Sequence, residues 1–295
     1  MPKNVFTPDK RDRDTSILEI YDLEEGESRE VVRFDRLIEA PNWSRDGKSL
    51  FYNSRGELYQ YDLEKGTEEK LDTGFCRNCN NDHVLSPDGR SIAVSHSEES
   101  WMSRVYIVPI GGGEPRLVTE NCPSFLHGWS PDGETLAYCA FRDMEKGGDI
   151  YTIPVSGGEE RQLTFTEGLN DGPEYSPDGK HIWFNSVRSG LMQAWRMNAD
   201  GSEQTQMTFD EGWNTWFPHI SPDGKKVVMI AYKKGDLKPG EHLPHKWVEL
   251  RLMDADGSRL KTLLTLFGGQ GTINVNSWAP DSKRFAYVRY ELPKE

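Results

Sequence analysis

The sequence predicts an all-β fold, a six-bladed β-propeller of four-stranded antiparallel blades. Three observations predict it: a turn motif that recurs six times, a Gly-containing turn between successive motifs, and no sustained 3.6-residue apolar period. The motif reads Pro41-Asn-Trp-Ser-Arg-Asp-Gly47, His83-Val-Leu-Ser-Pro-Asp-Gly89, His127-Gly-Trp-Ser-Pro-Asp-Gly133, Pro173-Glu-Tyr-Ser-Pro-Asp-Gly179, Pro218-His-Ile-Ser-Pro-Asp-Gly224 and Asn276-Ser-Trp-Ala-Pro-Asp-Ser282. Its Asp falls at 46, 88, 132, 178, 223 and 281, in steps of 42, 44, 46, 45 and 58. Four short strands per step, repeated radially, make a propeller blade.

Each element has a local cause. In Ser-Pro-Asp-Gly, proline presets φ for the turn and Gly accepts the positive φ that follows, while Ser and Asp bond their own backbone. The six Asp residues are therefore turn formers rather than catalytic carboxylates. Ser282 replaces the last Gly, at an expected cost of up to ~1 kcal/mol if that position has positive φ. A β-type run follows each turn, such as Leu50-Phe51-Tyr52 or Ile182-Trp183-Phe184. A second run precedes each Gly turn, as at 104–108, and a third follows it, as at 116–118. These give strands A to D. The sixth repeat supplies only A and B, at 274–290, and the segments at 16–34 supply its missing C and D. The expectation is one domain over 1–295, with blades at 41–72, 83–118, 127–164, 173–208, 217–264, and 274–290 plus 16–34. Such closure joins both ends of the chain in one blade and leaves no open sheet edge.

Charge narrows the partners. Forty-eight acidic against 35 basic residues leave a net charge of -13, which repels phosphate backbones and anionic lipid heads. No run approaches the ~20 apolar residues that span a bilayer. The first ten residues carry charge and prolines and no apolar signal core. Nucleic acid and membrane insertion are excluded as expectations, and the expected compartment is the cytoplasm, or the periplasm if an export signal was removed. No cofactor is expected.

Ser-Pro-Asp-Gly-Lys followed by an apolar run, then Ile-Tyr and a Gly-Gly turn, resembles the propeller repeat of the TolB family. The regulatory propellers of prolyl-oligopeptidase-type enzymes are similar. The resemblance covers about residues 16–290 and implies a six-bladed propeller serving as a binding scaffold. TolB is periplasmic and carries an additional N-terminal domain. The peptidases carry their nucleophile on a separate α/β-hydrolase domain, and no Gly-x-Ser-x-Gly elbow occurs here. Fold and scaffold transfer; no reaction does.

Topology says where to look for a site. The Asp and Gly turns share one end of the disc, while the longer D–A and B–C connections share the other, around the channel mouth. An insertion at 232–246 lengthens a B–C loop, and insertions on one face of a repeat array mark a binding face. Candidate ligand-binding residues there are His83 and His127, which share a register position, and His219, which lies one residue out of register and is expected on the other side of its blade. Trp216 joins them, beside Trp213, Phe217 and Trp101, as an aromatic surface for a sugar or peptide. The Gly-rich 268–276 segment adds Gln270, Asn274 and Asn276, with His242 and His245 reaching over it. Cys76, Cys79, Cys122 and His83 form a candidate zinc set, against free loop thiols as the plainer reading. The expected function is a non-catalytic scaffold for a protein or a polymer/carbohydrate ligand. The alternative is a carbohydrate-active lyase or hydrolase using a His or a bound metal at the channel mouth.

Overall fold

The computed structural model describes residues 14–292, and every regular element among them is a strand. β1 (Thr15–Asp22) and β2 (Glu27–Phe34) open the chain and belong to the last blade. Five complete antiparallel four-stranded blades follow. They are β3 (Glu39–Trp43) to β6 (Thr67–Lys70), β7 (Cys79–Leu85) to β10 (Arg116–Leu117), β11 (Ser124–Trp129) to β14 (Arg161–Gln162), β15 (Asn170–Tyr175) to β18 (Thr205–Gln206), and β19 (Trp213–Ile220) to β22 (Lys261–Gly269). β23 (Arg284–Glu291) then pairs along its length with β1, which closes the ring. The inner strand expected from 274 is reduced to a bridge between Trp278 and Phe285. Side chains explain this: Asn276 accepts from the Trp278 N–H (3.0 Å) and donates to the Ile220 carbonyl of the neighbouring blade (2.9 Å), competing with a regular ladder.

The repeated turns form as their residues dictate. In the first five blades the Ser hydroxyl donates to the Asp carboxylate, at 2.6 Å in Ser86–Asp88 and 2.7 Å in Ser221–Asp223, and the carboxylate accepts the N–H two residues on. Ser282 does take positive φ, at 60°. Between blades the cores are apolar sandwiches, as where Trp216, Tyr232 and Val248 of blade five meet Trp278 and Phe285 of blade six.

The inner strands of the first five blades are all irregular, with register shifts at Glu39/Asn42, Cys79/His83, Leu126/Gly128, Asp171/Glu174 and Trp216/His219. Three of them place a left-handed residue just before a proline: Ala40 (φ 56°), Gly172 (φ 63°) and Phe217 (φ 50°). Such bulges re-aim the side chains beyond them. At Gly172 a Cβ would lie 2.7 Å from Asn185 Oδ1, so glycine there answers to space as well as to φ.

Candidate functional site

The re-aimed inner strands gather polar groups around the channel. β7 brings Asp82, β11 brings His127 and β15 brings Asp171, all buried. His127 Nε2 lies 3.2 Å from Asp171 Oδ1 and 3.8 Å from Asp82 Oδ1. Asn274 Nδ2 donates to Asp82 Oδ1 (2.7 Å), Asn80 donates to its other oxygen, and the Gly172 N–H donates to Asp171 (2.8 Å). Burial alone would lower the His127 pKa, but Asp82 and Asp171 outweigh it and raise it to about 9. Asp82 is pushed up to about 6 by burial, with Asp171 adding and His127 opposing. Asp171, also buried, ends below the usual carboxylate range because His127 both attracts and hydrogen-bonds it.

His242 sits beside this cluster. Its Nε2 is 3.2 Å from Gln270 Nε2, and its ring packs 4.5 Å from Trp216 and 5.4 Å, edge-on, from Phe217. It keeps some surface exposure, yet its dense surroundings lower its pKa, with Asp171 opposing. Phe217 in turn stacks on His127 (5.5 Å). A cavity of about 270 Å³ opens here, lined by Asp82, Asp171, His127, His242 and Gln270 and by the rings of Trp101, Phe125 and Phe141. Those three rings form one cluster, with centroids 5.9 to 6.4 Å apart. Trp101 is 44% exposed, so it forms the lip.

A second polar layer lies toward the turn end. His219 Nδ1 meets Glu174 Oε2 at 2.6 Å and its Nε2 meets the Ile273 carbonyl at 3.0 Å; Asn276 donates to Glu174 Oε1 at 2.6 Å. This layer borders a cavity of about 380 Å³ walled by Trp43, Trp129, Tyr175, Trp278 and the turn prolines. His127 lines both cavities and so marks the boundary between them.

The predicted residues divide. His127, His242, Gln270 and Asn274 converge at the loop-end cavity. Asn276 and His219 join the second layer instead. The bulge between Trp216 and His219 resets strand alternation, so His219 is not sent away from the centre, as its register implied, but ties three blades together there. His83 does not flank a groove with His127. It is fully buried, neither ring nitrogen makes a hydrogen bond, and burial lowers its pKa to about 4, although the carbonyls of Phe51, Asn81 and Ala40 lie near enough to oppose this. Trp216 is fully buried and serves as packing rather than as a mouth surface; Trp101 takes that place. His245 pairs with Asp14 and stacks on Phe267, which ties the residue preceding β1 to blade five.

The zinc set does not assemble. Cys76 and Cys79 lie in an apolar core with Leu58, Leu85 and Tyr106, where burial pushes the Cys76 thiol up to about 12 and raises Cys79 well above its ordinary value. Such thiols resist forming the thiolate that zinc requires. Among the described residues no group of three or more His, Cys, Asp or Glu is placed to hold a metal ion. Sequence reasoning missed Asp82, Asp171 and Glu174. Their one signal was position: each lies within two residues of the register point that holds His83 or Pro173.

Comparison with known proteins follows the same architecture. Residues 121–243 match the family profile of the TolB beta propeller domain. An uncharacterised protein of Agrobacterium fabrum is 49% identical over 276 residues, covering 93% of this chain and 92% of that one. A solved structure of a candidate TolB from Agrobacterium tumefaciens superposes with a TM-score of 0.90 at 48% identity, covering 95% and 99% of the two chains. The Tol-Pal system protein TolB of Francisella tularensis is 26% identical over 273 residues, 90% of this chain; the match spans 59% of that protein's length. A solved oligogalacturonate lyase in complex with manganese shares the fold (TM-score 0.54, 16% identity, 85% of this chain and 67% of that one). None of the described residues forms a helix long and apolar enough to cross a membrane.

Proposed function

This chain belongs to the TolB-like family of six-bladed β-propellers, and on that premise we propose that it is a non-catalytic scaffold that binds a protein or polymer at its loop-rich channel end. The observation that carries this reading is the one-sided distribution of the exposed Phe and Trp side chains; toward the turn end the exposed large apolar groups are the smaller Leu117 and Leu260. Phe75, Trp101, Met144, Phe165, Phe209 and Trp247 are 44 to 77% exposed, and all belong to connections or strand ends at the loop-rich end. Exposed large apolar groups gathered on one face mark an interaction surface. The opposite end presents short, self-satisfied Ser–Asp turns. Alanine at Trp101, Phe165 and Phe209 together tests the reading, with the wild type and the variant used as parallel baits. The scaffold reading predicts that proteins or glycans retained by the wild type are lost by the variant at an unchanged melting temperature. Identical retention by both baits contradicts it.

The lyase or hydrolase alternative has one geometric point in its favour, the buried Asp82–His127–Asp171 cluster. With a pKa near 9, however, His127 is cationic at neutral pH and supplies no base; the uncharged imidazole is that of His242. The donor set does not fit the manganese held by the lyase neighbour, because the described residues gather no three ligating groups. Formation of unsaturated product from oligogalacturonate with added manganese would favour the enzyme; its absence supports the scaffold. Compartment belongs to the same proposal. Resemblance to a periplasmic family favours the periplasm, and fractionation of cells bearing a C-terminal reporter tests it.

A further inference from the structure

Building on the scaffold reading, we infer that the loop-end cavity takes an organic cation, an alkylammonium or guanidinium group, seated against Asp82 and Asp171 beneath the rings of Trp101, Phe125 and Phe141. Three independent features point the same way. The first is charge. Among the described residues two carboxylates line the cavity with one cationic side chain, His127, between them, and no Lys or Arg lines it. One negative charge is left without a partner in a low-dielectric space, and burying an unpaired charge is costly unless something neutralises it.

The second is the supply of acceptors. Asp82 accepts one hydrogen bond on each oxygen, from Asn274 and Asn80, with His127 3.8 Å away, while among the described residues no nitrogen or hydroxyl donates to Asp171 Oδ2. The neighbouring Cys139 thiol, a weak donor, is shared between the Asn170 carbonyl (3.2 Å) and Asp171. An N–H-rich cation supplies a stronger, charge-assisted donor. The third is the aromatic wall. Trp101 stacks 6.4 Å from Phe125, and both meet Phe141 edge-on within 6.2 Å, so ring faces border the route to the carboxylates. Aromatic faces attract cations at such sites and gain nothing from anions. The same features disfavour a uronate chain, whose carboxylates would meet like charge.

The cation has two possible sources, a free amine or the Lys or Arg side chain of a bound segment. Calorimetric titration separates them. The probes are agmatine, spermidine, an N-acetylated Gly-Arg-Gly amide and its citrulline counterpart, with galacturonate as the anionic control. The expected result is that the guanidinium probes bind at least about tenfold more tightly than the citrulline peptide. Asp82→Asn should weaken them about tenfold or more. Trp101→Ala, at an exposed site that does not threaten folding, should weaken them about three- to fivefold. Binding of the peptide but not of agmatine or spermidine assigns the site to a partner's side chain; binding of the free amines assigns it to small molecules. No cation binding by the folded wild type, binding that favours galacturonate, or affinities that Trp101→Ala leaves unchanged would overturn the inference. If the triple-alanine bait loses its partner while no cation binds, the cation inference fails alone. If cations bind while both baits retain the same partners, the scaffold reading fails alone.

Discussion

Two histidines at one register position behave in opposite ways. His83 is sealed without a hydrogen bond, and its pKa falls to about 4; His127 lies between two carboxylates, and its pKa rises to about 9. Against an unfolded value of 6.5, His127 contributes stability that is fully present below that value and lost as pH rises through 9. The sign reverses for His83, whose neutral form is favoured by folding: stability is full above 6.5 and lost as pH falls through 4. Asp82, raised to about 6, contributes stability that is full below its ordinary value and lost as pH rises through 6, which leaves the alkaline window to His127. The wild type should therefore be most stable near neutrality. His127→Gln should flatten the decline in melting temperature between pH 7 and 9; parallel curves for variant and wild type would refute the assignment. His83→Leu should raise the melting temperature, most clearly at pH 5, because it removes an unsatisfied buried polar group. A loss of stability there would mean that the ring has a partner after all. The sequence displayed both histidines and their shared offset, but it could not display what lies across the channel. Asp171 comes from the next blade, and the packing of that blade's inner strand against β11 sets it beside His127.

At the scale of elements, the turns were legible because their causes are local. All six motif aspartates have lowered pKa values; in Asp132 the Ser130 hydroxyl contributes most, while in Asp223 burial is the largest single influence and is outweighed only by the Ser221 hydroxyl together with the Lys225 N–H and ammonium. Asp132→Ala should cost about 1 kcal/mol through its lost turn hydrogen bonds, with ligand binding unchanged. A binding defect in denaturant-matched samples would return that carboxylate to the list of functional groups. Ser282→Gly relieves positive φ but gives up the Asp223 N–H bond to the Ser282 hydroxyl (3.0 Å), so the two effects should nearly cancel. The bulges were not legible. A Pro beyond a left-handed residue looks like any turn residue in a repeat. Yet the extra residue between Trp216 and His219 is what moved His219 to the centre. The reduction of the last inner strand had a similar origin, in the two bonds of one amide, Asn276.

At the scale of the molecule, the repeat count, the number of blades and their closure by the first strands could all be read from spacing. Ile17, Leu18 and Ile20 of β1 are at most 1% exposed against β23 and its neighbours. Deleting residues 1–22 should leave β23 as an open apolar edge and yield insoluble protein, while a circular permutant that joins residue 292 to residue 14 should fold. A soluble truncation with the wild-type melting temperature would contradict the closure. The distinction between the two ends of the disc was legible as loop length; the aromatic and acidic lining of the loop-end cavity was not, since it draws on three blades. The central claim is that this end does the binding, and it is tested most directly by placing a photo-crosslinking amino acid at Gln270 in one variant and at Lys180, on a turn at the opposite end, in another. Irradiation in cells should give discrete adducts from position 270 and none from 180. Equal adducts from both, or adducts from 180 alone, would contradict the account.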